Sequence, residues 1–144
     1  MSAEEIRKKL CDKDNQKAYQ TLLEFEMITT ESNELYPYFD LFLSLLDDKH
    51  SFVRVRGFRI ICALAKWDKE NKINHNIDKI LKELEDNKGT SVRQCLDACS
   101  IMLLYKPELF SKVEEKLTHL NLKIYKENLQ GLIKKDIETI LSNE

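Results

Sequence analysis

Residues 47–54, Asp-Asp-Lys-His-Ser-Phe-Val-Arg, are answered 39 positions later by Asp-Asn-Lys-Gly-Thr-Ser-Val-Arg at residues 86–93. A chain that repeats itself at a fixed interval builds repeated structural units, so the period constrains the fold more than any single motif. The match extends in both directions. Upstream, Tyr38, Leu41, Phe42 and Leu45 correspond to Ile77, Ile80, Leu81 and Leu84. A spacing of i, i+3, i+4, i+7 lays apolar side chains along one side of a helix. Downstream, Val53, Gly57, Ile60, Ile61 and Leu64 correspond to Val92, Leu96, Cys99, Ser100 and Leu103. Each unit reads helix, polar turn, helix.

Run backwards, the same offset places Ala18, Thr21, Leu22 and Phe25 on the second helix of a first unit, after a short helix over Glu4–Leu10. Run forwards it degrades. Phe110, Val113, Leu117 and Leu120 still form a stripe, and Leu129, Leu132, Ile133, Ile137, Ile140 and Leu141 form a last helix. End units cap a stack and are expected to be atypical. The approximate units are 1–30, 34–67, 74–105 and 107–142, in one domain. Pro37 and Pro107 fall near helix starts, where a missing N–H costs little. Residues 31–34, 68–76 and 121–123 read as polar connectors.

Composition agrees with helices. Among 144 residues there are 3 Gly and 2 Pro, too few for the many turns of a strand-rich fold. The formal charge of −2 lacks the basic excess of strong duplex binders. The charged residues 1–10 lack the apolar core of a secretory signal, and the apolar run 60–65 is too short to span a bilayer. A cytoplasmic location is the expectation, with Cys11, Cys62, Cys95 and Cys99 reduced.

The period, the paired helices and the Asp-x4-Val-Arg turn resemble HEAT repeats. The match is Asp48…Val53-Arg54 in one unit. In the next, Asn87…Val92-Arg93 lacks the Asp, with Asp86 beside it. The resemblance implies a right-handed α-solenoid of about three to four helix pairs. It also implies an Asp–Arg ladder between turns, built here from Asp48, Arg54, Asp86 and Arg93. Several runs also look like a group of small bacterial HEAT proteins sometimes labelled SufB/SufD-related. They are Tyr36-Pro37-Tyr38-Phe39-Asp40, Val55-Arg56-Gly57-Phe58, Ala63-Leu64-Ala65-Lys66-Trp67-Asp68, Val92-Arg93-Gln94-Cys95 and Lys106-Pro107-Glu108-Leu109. The β-helical cores of SufB and SufD have no counterpart in this strand-poor pattern.

Chemistry-bearing constellations are sparse. Cys95 and Cys99 share a helix side, but no CxxC pair supplies the four soft ligands of a zinc or iron–sulfur site. Cys99 falls in core register. His50, His75 and His119 are scattered along polar connectors and helix ends. Asp47-Asp48 lies in the repeat turn, and glycines only at 57, 89 and 131 leave no phosphate loop. The chain is therefore expected to have no enzymatic activity, cofactor or metal.

Second helices of such repeats line the concave surface. At 100° per residue from the core direction of Val53, that strip contains Val55, Arg59, Cys62 and Lys66. Its equivalents are Gln94, Ala98, Ile101 and Tyr105 in the following unit. In the first they are Gln16, Gln20, Leu23 and Met27. Apolar and polar groups with a Tyr and an Arg suit a protein or peptide partner. The expected binding residues are Gln20, Met27, Val55, Arg59, Lys66, Gln94, Ala98, Ile101 and Tyr105. Arg54, Arg56, Arg59 and Lys66 also form a local basic cluster. It keeps open a nucleic-acid-binding or repair accessory resembling HEAT-like alkylpurine glycosylases. An iron–sulfur assembly accessory is a further alternative, and apolar end faces leave room for weak self-association.

Overall fold

The structure is a computed structural model and describes residues 1–143. Every regular element among them is helical, without a strand. The helices are α1 Ala3–Leu10, α2 Asn15–Glu31, α3 Phe39–Ser44, α4 Ser51–Ala63, α5 Lys72–His75, α6 Ile77–Leu81, α7 Gly89–Tyr105, α8 Phe110–Thr118 and α9 Glu127–Leu141.

Local chemistry sets the boundaries. Ser2 and Glu5 form a capping box that starts α1. The Asp14 carboxylate accepts from the Gln16 and Lys17 amides and starts α2. Pro37 and Pro107 each stand in a short 3-10 turn leading into α3 and α8.

Packing runs mostly between helices near in sequence. α2 packs against α4, α4 against α7 and α7 against α9, while α3 lies against α4 and α6 against α8. One continuous core lies between these helices. Phe25, Phe39, Phe42, Phe58, Ile60, Ile61 and Leu64 are fully enclosed there, as are Ile80, Leu84, Val92, Leu96 and Cys99 in the next unit. Ser100 is exposed and Thr21 only half-buried, so both leave the expected core stripes. Gly57 lets α3 and α4 approach closely. A Cβ there would lie 2.9 Å from Leu45 Cβ and 3.0 Å from the Phe42 carbonyl oxygen.

Residues 68–76 are not a solvated connector. They contain α5, and both Ile73 and Asp68 are buried. Asn71 has φ 56°, the left-handed conformation that Asn tolerates better than most residues. Lys106, ending α7, places its ammonium against the Asp68 carboxylate at 3.1 Å. It also donates to Asn71 Oδ1 at 2.8 Å and Asn74 Oδ1 at 2.7 Å. Tyr36 donates to the same Asp68, whose other partners are the Lys72 and Ile73 amides. Polar letters in sequence suggested water; here they satisfy one another.

Gly89 is closely packed. It opens α7, and a Cβ would meet Leu129 Cδ2 at 2.2 Å. No helix among the described residues is long and apolar enough to cross a membrane.

Candidate partner-binding cleft

α4 is held between its neighbours by arginines. Arg54 donates to Glu83 from Nε at 3.0 Å and to Asp86 Oδ2 from Nη2 at 2.8 Å. Its Nη1 donates to the Asp48 carbonyl at 2.9 Å. The Asp48 carboxylate instead accepts from the His50 amide and closes its own turn. Asp86 repeats that turn through the Lys88 amide and also accepts from Ser51. Arg93 turns to Asp136 on α9, with Nε 2.7 Å from Oδ2. The expected Asp–Arg ladder thus has one side-chain rung, Arg54–Asp86. Asp48 contributes only its carbonyl, and Arg93 pairs with a helix residue because no following turn offers it a carboxylate.

Arg59 sits one step further along α4. Its Nε and Nη2 reach the two Glu26 oxygens at 3.0 and 2.9 Å, and Nη1 reaches Gln94 Oε1 at 3.0 Å. The guanidinium lies 5.7 Å from the Tyr19 ring centroid. This bidentate, charge-assisted pairing links α2, α4 and α7. Lys66 donates to the Thr30 carbonyl at 2.6 Å, and Trp67 Nε1 to the Thr29 carbonyl at 2.7 Å. Both carbonyls belong to the last turn of α2, whose C=O groups lack helical partners and attract cations.

Above these ties opens a cleft of about 350 Å³. α2 contributes Glu26, Thr29 and Thr30. α4 and its following turn contribute Arg59, Ala63 and Lys66, while α7 contributes Gln94, Asp97, Ala98, Ile101 and Tyr105. Arg59, Lys66, Gln94, Ala98, Ile101 and Tyr105 were expected from periodicity, and the fold brings them together. Val55 does not join them, being 3% exposed and packed in the core with Cys62. Ala98 lines the cleft but is only 6% exposed, forming floor rather than wall. Gln20 and Met27 are exposed outside the lining. α2 is turned by about one residue from the 39-residue register, so Tyr19 and Glu26 meet Arg59 instead. Glu26, Thr29, Thr30, Ala63 and Asp97 were missed. The i, i+4, i+7, i+11 spacing of Gln94-Ala98-Ile101-Tyr105 marks the α7 side of this face. On α2 the expected strip Gln16-Gln20-Leu23-Met27 has the same spacing, and spacing alone does not distinguish it.

The basic cluster is dispersed. Arg54 and Arg59 are paired as described. Arg56 is buried, donating to the Leu10 carbonyl and Asn15 Oδ1. Cys62, Cys95 and Cys99 are buried, while Cys11 is half-buried. Burial raises all four thiol pKa values, that of Cys99 to about 12. His50, His75 and His119 are exposed. No protein-family model, curated protein or solved structure matches the chain.

Proposed function

We propose that the chain is a HEAT-like α-solenoid acting as a non-enzymatic interaction module, with the α2–α4–α7 face as its partner-binding surface. The solenoid reading is supported by the reach of its side-chain hydrogen bonds. Beyond local bonds of six residues or fewer, each such bond among the described residues joins positions 29 to 46 apart in sequence. Arg54–Glu83 marks the short end and Arg56–Leu10 the long end. Neighbour-to-neighbour contact is the defining property of repeat stacks. A bundle closing on itself would also join its first and last helices.

The cleft carries the functional reading. Helices α2, α4 and α7 contribute to one depression, and the exposed side chains of Ile101 and Tyr105 line it. Apolar groups beside a completed Glu26–Arg59 ion pair suit protein contact better than phosphate contact, and Arg54 and Arg56 outside the cleft already have partners too.

Photo-crosslinking tests this. Benzoylphenylalanine at Ile101 or Tyr105 should yield the same discrete adduct in cell extract, whereas Lys112 or Glu114 on α8 should yield none. Equal labelling from both faces would remove the reading.

A further inference from the structure

The cleft is one of three connected depressions. A second, of about 340 Å³ between α7 and α9, shares Gln94 and Asp97 with it. A third, of about 550 Å³, shares Ser100 and Ile140 with the second and is bordered by Leu103, Leu104, Pro107 and Phe110. Together they make a track across α7, open along its length. Such a shape suits an extended chain better than a compact small molecule, which favours enclosed pockets.

Charges along the track are nearly all matched. Glu26 is paired with Arg59 and Arg93 with Asp136. Lys66 lies on the α2 carboxyl-terminal carbonyl of Thr30. Asp97 is the exception. It is exposed on the ridge between the first two depressions and has no hydrogen bond or ion pair among the described residues. The complement it lacks is a cation. The third depression is lined mainly by apolar side chains, and Leu104 at its edge is 72% exposed.

Resting on the reading above, we propose that the partner is an extended peptide segment carrying Lys or Arg about three residues from a bulky apolar residue. The cation sits on Asp97 and the apolar side chain enters the depression at Leu103, Leu104 and Phe110. The spacing follows from helix geometry. Asp97 and Leu104 are seven residues apart on α7, about 10 Å along its axis at 1.5 Å per residue. An extended chain covers that distance in about three residues at ~3.3 Å each.

The test uses the full chain and synthetic nonapeptides holding one Leu and one Lys at every mutual spacing, with Gln and Glu in place of Lys as controls. Fluorescence anisotropy reads binding. Lys three positions from Leu should bind ~10-fold tighter than Gln there, with the gain falling as salt rises. Asp97→Asn should reduce that preference to less than about twofold, while Leu104→Ala should weaken the Leu requirement and keep the charge preference. Both sites are exposed, and circular dichroism checks that each variant folds. Peptide binding indifferent to charge or spacing overturns this inference and leaves the interaction reading standing. Binding of no peptide also overturns it, and the crosslinking experiment then decides the broader reading separately.

Discussion

Lys106 and Asp68 stand 38 positions apart in sequence, yet ammonium and carboxylate meet at 3.1 Å with side-chain exposures of only 5% and 0%. Asp68 caps the helical run that begins with α4 and Lys106 caps α7, so the pair joins the carboxyl-terminal ends of those two runs. Burial opposes ionisation of Asp68. Donors from Tyr36, the Ile73 amide, Lys106 and the Lys72 amide outweigh it and hold the carboxyl below its ordinary pKa. Burial, and then the same contact, raise the Tyr36 phenol.

Removing one partner should cost far more than removing both. Lys106→Ala strands the Asp68 charge and two Asn carbonyl oxygens, and should lose about 3–5 kcal/mol in urea unfolding. Asp68→Asn with Lys106→Met should recover part of that loss. A single-variant loss below ~1 kcal/mol would show the pair to be unimportant to stability.

Glu83 should make stability depend on pH near neutrality. Burial and the adjacent Asp86 raise its carboxyl pKa to about 7, against an opposing effect from Arg54. Asp86 goes the other way. Despite its own burial, bonds from the Lys88 amide, Ser51 and Arg54 hold it low. The two acids compete for one guanidinium, and Asp86 has the richer donor set. Glu83 therefore binds a proton more tightly folded than unfolded, where its pKa is ~4.3. Its contribution is complete below that value and is lost as pH rises through about 7. Urea midpoints should fall between pH 5 and 8, by up to about 3 kcal/mol in stability. Glu83→Gln should flatten that window. Asp68 and Asp86 have the opposite sign, their stabilisation disappearing only in acid.

Two glycines should respond to alanine in opposite directions. Gly57→Ala forces a methyl into Leu45 Cβ and a backbone carbonyl, and should destabilise by about 1–3 kcal/mol. At Gly131, inside α9, a Cβ has no neighbour within 4 Å. Gly131→Ala should stabilise by about 0.5–1 kcal/mol through helix propensity. Thermal melts of the two variants should bracket the parent.

Thiol accessibility should separate Cys11 from the other three. In native buffer a disulfide reagent should titrate about one thiol rapidly, and all four after unfolding, because burial keeps Cys62, Cys95 and Cys99 protonated and out of reach. Rapid native labelling of three or four would contradict the packing around Cys62.

The helical class was legible because burial imposes a period. Ile77, Ile80, Leu81 and Leu84 are buried, and Leu81 and Leu84 recur in register with the buried Phe42 and Leu45. Half of the binding strip was legible for the same reason, from Gln94 to Tyr105. Its α2 portion was not. A shift of one residue rotates a helix by 100°, enough to exchange Met27 for Glu26. Choice among polar partners left no trace in spacing either. Arg93 and Arg54 occupy the same motif, yet one finds Asp136 on a helix and the other Asp86 in a turn. The residues around Asp68 misled for a related reason, since hydrophilic letters do not reveal whether their partners are water or one another.

No side-chain tie among the described residues reaches beyond 46 positions. On the solenoid reading proposed above, inserting or deleting one helix pair would disturb only the bonds at the new junction, leaving the rest of the wiring intact. Length, in such a chain, is an adjustable quantity that mutation can change in whole steps without redesigning what lies on either side.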